Sequence, residues 1–207
     1  ILLETEEEKK RIPVKNANSL HIMSQTDFNT RFFSFLSQEQ IPAHYYNWFD
    51  RYTGSFYPTE YLNSGKVLVK QVLTYDNNNN RMKIAKEIVK GASKNMLSNL
   101  KYYRRKNKDV KNIIQEIKDL RAEISKAENF NKLRGIEGKI RKTYYKSFSK
   151  ITRNTFEYHK RTKRPPKNEI NALISFGNSL LYSTTLTEIY RTQLNPTISF
   201  LHEPRER

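Results

Sequence analysis

From about residue 81 onward, apolar side chains recur every third or fourth position, and this periodicity constrains the fold most. Ile84, Ile88, Ala92, Met96 and Leu100 form one such stripe. Val110, Ile113, Ile114, Ile117, Leu120 and Ile124 form a second, and Leu133, Ile136, Ile140, Tyr144, Phe148 and Ile151 a third. A stripe of this period predicts a helix with one face against a core. The spacing predicts helices over 81–105, 108–127 and from Asn129 onward. A shorter helix from Ser64 to about Tyr75 precedes them. A long one capped by Asn168 follows, running to about Thr192 before Asn195-Pro196 ends it. Asn77–Asn80 is a polar turn that offers caps, and Pro165-Pro166 forces an extended stop.

Before residue 64 the pattern differs. Ile1–Thr5 and Lys10–Val14 flank the acidic turn Glu6-Glu7-Glu8 and predict a hairpin, with Ser19–Met23 as a third strand. Asp27–Leu36 repeats Phe28, Phe32, Phe35 and Leu36 on one helical face. Ala43–Phe49 and Tyr52–Tyr57 are aromatic-rich strands joined at Asp50-Arg51. The fold class is therefore α+β: a small N-terminal β-rich domain over residues 1–62, followed by a mainly α-helical domain over 63–207. Ile1–Thr5 reads as a strand already under way, which predicts a chain that begins inside a domain.

Charge follows the same division. Residues 1–64 hold 6 basic against 8 acidic residues, net −2, and residues 65–207 hold 32 against 13, net +19. A chain of net charge +17 and pI about 9.9 points to a polyanion, because clustered Lys and Arg release counterions from phosphates. The helical domain is then the one that meets it. The absence of cysteine excludes a disulfide framework and a thiolate zinc site. It fits a cytoplasmic protein. No apolar run reaches the roughly 20 residues that span a bilayer. Six glycines provide no Gly-rich phosphate loop, and no GxSxG pattern is present.

Three features look chemical. Glu137 sits in Leu133-Arg-Gly-Ile-Glu-Gly138, on the side of its helix near the core edge. A glycine inside a helix costs about 1 kcal/mol relative to Ala, so the glycines flanking Glu137 ask for a compensating close approach of backbone or ligand. Alternatively Glu137 is a surface carboxylate paired with Arg141 four residues on. His202 follows a proline-broken turn and the apolar Ile198–Leu201. It reads as a metal ligand, a core histidine or a surface residue. His21 and His44 read as strand residues and His159 as part of the basic surface.

The third feature is three basic clusters. Arg104 and Arg105, with Lys101, Lys106 and Lys108, surround Tyr102 and Tyr103. Arg141 and Lys142, with Lys139, Lys146, Lys150 and Arg153, share a helix with Tyr144 and Tyr145. Arg161, Lys163, Arg164 and Lys167, with Lys160, straddle the double proline. Basic side chains hold phosphates and aromatics stack on splayed bases; otherwise the tyrosines are core and the lysines merely solvated.

The run Arg161-Thr-Lys-Arg-Pro-Pro-Lys-Asn-Glu-Ile-Asn-Ala-Leu-Ile-Ser-Phe-Gly-Asn-Ser-Leu-Leu181 resembles the signature of the CRISPR adaptation integrase, the universal "Cas-one" endonuclease family. Gly135-Ile-Glu-Gly138 with Tyr144 and Phe148 resembles that family's catalytic-glutamate helix. Leu194-Asn-Pro-Thr-Ile-Ser-Phe-Leu-His-Glu-Pro204 resembles its catalytic-histidine segment, and Gly54-Ser-Phe-Tyr-Pro58 the end of its first domain.

The resemblance implies a divalent-metal-dependent DNA endonuclease and integrase that inserts foreign spacers into a CRISPR array. Mg²⁺ or Mn²⁺ is held by Glu137, His202 and a third acidic residue that would lie beyond residue 207. A histidine ligand tilts the choice toward Mn²⁺. The implied partners are DNA (spacer precursor and CRISPR repeat), a second copy of the chain, and the small protein "Cas-two". Truncation at both ends is expected, and with it little activity in this fragment alone. The alternatives are a non-catalytic helical DNA-binding scaffold and a basic protein-interaction module.

Overall fold

In the computed structural model, the described residues are all of 1–207 except 5–7, 15, 16, 60–63, 153–155, 157 and 204–207. Most of the acidic turn Glu6-Glu7-Glu8, the boundary at residues 62 and 63, and Arg153 lie outside them. The chain divides into two compact units. One comprises residues 1–65 and 176–194, the other 66–175 and 195–207.

The first unit contains two small sheets. β1 (Leu2–Glu4) pairs antiparallel with β2 (Lys9–Arg11), Leu2 opposite Arg11. β3 (Leu20–Ile22) runs parallel to β4 (Ala43–Tyr46), which turns back antiparallel to β5 (Tyr52–Phe56), with a bulge between Tyr45 and Tyr46. Between β3 and β4 lies α1 (Thr30–Gln38). It starts three residues later than its aromatic pattern suggests, because Asn29 is the cap: its side chain accepts from the Phe32 N–H at 2.9 Å. The helix ends with Gln40 in the left-handed region, the Ile41 N–H reaching the Leu36 carbonyl at 2.9 Å. Leu36, Ile41 and Ala43 form the buried centre, packed by Leu20, Ile22, Phe32, Phe35, Tyr45 and Phe56.

The second unit is helical. α2 (Gly65–Asp76) precedes α3 (Asn78–Arg105), capped by Asn77, whose side chain accepts from the Asn80 N–H. α4 (Lys111–Glu123) tightens into a 3-10 turn over Ile124–Lys126. α5 (Phe130–Ile151) starts at the cap Asn129. One core joins Ala85, Val89, Leu97 and Leu100 of α3, Ile113, Ile114 and Ile117 of α4, and Leu133, Ile136 and Ile140 of α5. Leu201 belongs to it as well.

The α3 stripe differs from the sequence expectation by one residue. Arg81, Ala85, Val89, Ser93, Leu97 and Leu100 are buried, while Ile88 is 49% exposed. Ser93 makes this possible. Its hydroxyl donates to the Lys90 carbonyl and accepts from Arg121 Nε.

α6 (Glu169–Tyr190) begins in the second unit and ends in the first. Its later turns join the β-rich unit through buried polar contacts. The Tyr46 hydroxyl meets Ser183 Oγ at 2.6 Å, His44 Nε2 meets Thr187 Oγ1 at 2.7 Å, and the Tyr190 hydroxyl donates to the Pro58 carbonyl. Residues 176–194 thus belong with the strands, whereas the sequence pattern places them in the helical domain. Hydrogen bonds to a sheet far away in sequence leave no periodic trace. Among the described residues no helix is long and apolar enough to cross a membrane.

Candidate active site and nucleic-acid surface

Glu137 is placed by the helix that carries it. Leu133, Ile136 and Ile140 turn one face of α5 into the core, and Glu137 sits beside that face with its side chain 18% exposed. Its carboxylate pairs with Arg141, one turn on. The carboxylate thus lies at the core edge and has the i,i+4 partner of the second sequence reading. A Cβ at Gly135 or Gly138 would meet nothing within 4 Å. Among the described residues no protein group makes the close approach that these glycines invite, and both glycines are exposed.

His202 lies in a segment held at both ends. At its start, the Gln71 side chain forms a two-point clamp with Asn195: Nε2 donates to the Asn195 carbonyl at 3.0 Å, and Oε1 accepts from the Asn195 N–H at 2.9 Å. The Asn195 side chain then accepts from the Thr197 N–H and hydroxyl, closing a turn. At its end, Leu201 is buried in the core that also holds Leu133 and Ile136, and the buried Arg81 donates to the Phe200 and His202 carbonyls. The His202 backbone N–H donates to Ser199 Oγ, and the residue is exposed.

The second unit thus brings the His202 segment into the same core as the Glu137 helix. Glu203 ties it further. Its carboxyl is held below the usual range by hydrogen bonds from Arg81 and Tyr75, with added attraction from Arg81 and Arg134, the latter one turn before Glu137.

Among the described residues, no three His, Asp or Glu side chains gather as a metal site. Glu137 is committed to Arg141 and Glu203 to Arg81. One carboxylate and one imidazole fall short of the six or so donors a divalent cation takes. The described residues alone do not fit such an ion.

The basic residues fall into two groups. Arg104 and Arg105 are exposed in the last turn of α3, near Tyr102, which is 51% exposed and has Lys106 Nζ over its ring. Lys142 on α5 and Lys163, Arg164 and Lys167 around the double proline are exposed too. Arg141 and Arg161 differ. Arg141 pairs with Glu137. Arg161 is half-buried and donates to the Thr162 carbonyl, to the carbonyl and side chain of Asn171, and to Ser175. It anchors the loop that presents its neighbours.

Sequence reasoning missed Arg81 and Gln71. No signal in the sequence marks Arg81: it stands in line with Ala85 and Val89, on the face of α3 that the more apolar stripe does not mark.

The match to known proteins extends over the whole chain. The family model described as "CRISPR associated protein Cas1" matches residues 1–207. A "CRISPR-associated endonuclease Cas1" from Fusobacterium nucleatum is 46% identical over 97% of this chain and 60% of its own length. One from Thermotoga maritima is 45% identical over 100% of this chain and 63% of its own length. The chain thus spans about three-fifths of the curated relatives it matches.

Among solved structures, a CAS1 protein from Thermotoga maritima superimposes with a TM-score of 0.83 at 44% identity, covering 98% of this chain and 64% of that one. A casposase bound to integration product shares the fold alone. Its TM-score is 0.60 at 18% identity, covering 96% of this chain and 59% of that one. The shared architecture and the family match over the whole chain agree: this chain belongs to the CRISPR-associated Cas1 family.

Proposed function

We propose that this chain is part of a DNA endonuclease and integrase that inserts short foreign DNA into a CRISPR array. One observation carries the reading beyond family membership. Glu137 and the His202 segment, remote in sequence, belong to one packed unit through the shared core of Leu133, Ile136 and Leu201. That unit also carries the basic excess. The chemistry is attack of a DNA 3′-hydroxyl, or of water, on a phosphodiester. Exposed Arg104, Arg105, Lys142, Lys163, Arg164 and Lys167 would hold the backbone phosphates, which positions DNA without reading its sequence.

The reading includes dependence on Mg²⁺ or Mn²⁺. Glu137 and His202 would be two donors, and an acidic third would come from outside these 207 residues. The reading also includes a Cas2-type partner, as in a neighbouring fold solved as a Cas6-RT-Cas1–Cas2 complex. Pairing of two copies through the β-rich unit is supported by Trp48, 88% exposed, and Phe49, 72% exposed, two large aromatic side chains that face water at the turn between β4 and β5.

The test is strand joining and cleavage by the full-length protein with Mg²⁺ or Mn²⁺. Glu137→Ala and His202→Ala are expected to abolish both while DNA affinity stays within about twofold. Undiminished joining by Glu137→Ala would sink the assignment. A non-catalytic DNA-binding scaffold is favoured by the Glu137–Arg141 pair and the lack of a three-donor cluster among the described residues. It predicts binding without any cation-dependent chemistry in the full-length protein.

A further inference from the structure

Arg81 belongs neither to the basic surface nor to the apolar core. It is 5% exposed, in the first turns of α3. Its guanidinium lies between two aromatic rings, 4.2 Å from the Tyr75 centroid and 4.3 Å from that of Phe130. Nε donates to the Phe200 carbonyl at 3.0 Å. Nη2 donates to the His202 carbonyl at 3.4 Å and to Glu203 Oε1 at 2.9 Å, and Nη1 reaches Glu203 Oε2 at 3.5 Å. Glu203 Oε2 also accepts from the Tyr75 hydroxyl at 3.0 Å.

A buried guanidinium is costly unless its donors are satisfied. Here nearly all of them are spent on three residues of one short segment, Phe200, His202 and Glu203. Two contacts go to backbone carbonyls and do not depend on the charge of Glu203. The planar fork on an aromatic sandwich fixes direction as well as distance. Held this way, the segment must turn Leu201 into the core and leave His202 outside.

We propose that Arg81 is the positioning residue for His202, setting where its ring stands without touching DNA or the reacting atoms. Phe130, the second ring of the sandwich, is the first residue of α5. The same side chain therefore references the His202 segment to the helix that carries Glu137. The assignment of His202 to the site rests on the function proposed above, whereas the anchoring itself does not.

The test uses the full-length protein and the variants Arg81→Lys and Glu203→Gln. Lysine keeps the charge but has no fork to span two carbonyls and a carboxylate. Hydrogen exchange is followed first, without DNA or cation. Arg81→Lys is expected to speed exchange over residues 199–203 tenfold or more while α4 and α5 stay within twofold. Glu203→Gln is expected to give a smaller rise at the same residues. Unchanged exchange over 199–203 would overturn the proposal. So would an equal rise throughout the helical unit, or failure of Arg81→Lys to fold while Glu203→Gln leaves the segment protected.

Strand joining is the second arm. Arg81→Lys should lower kcat at least tenfold with KM for DNA unchanged. Intact kcat with a loosened segment overturns the positioning role. An inactive wild type refutes the proposed function instead, and the exchange result then decides the anchoring on its own.

Discussion

His44 shows how a residue that looks ordinary in a strand pattern becomes a control point. It is fully buried, with Nδ1 bonded to Ser55 Oγ at 2.6 Å and Nε2 to Thr187 Oγ1 at 2.7 Å. The His21 ring lies 5.1 Å away, with the Tyr52 and Tyr57 rings as further neighbours. Burial, and then repulsion from His21, lowers its pKa from 6.5 to about 4. The folded chain therefore binds a proton at this site less readily than the unfolded one. Stability from this site is full above pH 6.5 and declines as pH falls toward 4, with no further loss below that. Burial lowers His21 as well, so it adds in the same direction. Denaturant midpoints measured from pH 7.5 to 4 should fall with acid, and His44→Gln should flatten much of the slope. The slope is the readout, because loss of the hydrogen bond to Ser55 or Thr187 also lowers the midpoint at every pH. An unchanged slope in His44→Gln would refute the account. Glu137 is the opposite case. Its pair with Arg141 is a partly exposed i,i+4 contact worth about 0.3–0.5 kcal/mol. Glu137→Ala should unfold within about 0.5 kcal/mol of wild type, so that lost activity cannot be ascribed to lost fold.

At the scale of elements, the sequence was most legible where one stripe stood alone. Val110, Ile113, Ile114, Ile117 and Ile124 around α4 are buried as their spacing suggests. α3 carries two stripes one residue apart, and period alone cannot choose between them. Of the more apolar one, Ile88 and Ala92 are exposed, Ile84 and Met96 are half-buried, and only Leu100, which both stripes share, is buried. Ala85 and Ser93 win because small side chains let helices approach closely, and the serine is satisfied by Lys90 and Arg121. Leu97→Ala should therefore cost about 2–4 kcal/mol and Ile88→Ala under about 1 kcal/mol in chemical denaturation. The reverse order would show that the sequence stripe was right. Caps were legible at Asn77, Asn129 and Asn168, because an Asx side chain before an apolar run has few other uses, whereas at Asn29 the aromatic pattern pointed to a start three residues too early. The site was legible only in part. Glu137 and His202 stood out by motif, but Arg81 is a basic residue among many until its burial is known. The contacts of His44 and Tyr46 with α6 link residues more than a hundred positions apart, which no local pattern encodes.

For the whole molecule, the charge step from net −2 before residue 65 to net +19 after it makes a quantitative statement about DNA. Each phosphate that a basic side chain neutralises releases counterions and adds about 0.9 to the slope of log affinity against log salt on duplex DNA. Lys163, Arg164 and Lys167 are exposed on a loop whose shape is held by Arg161, which donates to Asn171 and Ser175. Reversing the three exposed residues to Glu should weaken binding for all DNA sequences alike. It should also reduce the slope by about 1 for each phosphate no longer held, leaving the melting temperature nearly unchanged. Arg161→Glu should behave differently. Its donors are already engaged within the protein, so reversal removes the bonds to Asn171 and Ser175 and sets a carboxylate against the Thr162 carbonyl. It should lower the melting temperature by several degrees, and its effect on DNA binding should follow from the displaced loop. Titrations from about 50 to 200 mM salt on two unrelated duplexes, paired with thermal melts, separate the two classes. Arg161→Glu with an unchanged melt and a reduced salt slope would return that residue to the DNA surface. A triple reversal that weakens only one of the two duplexes would mean that the loop reads bases rather than phosphates.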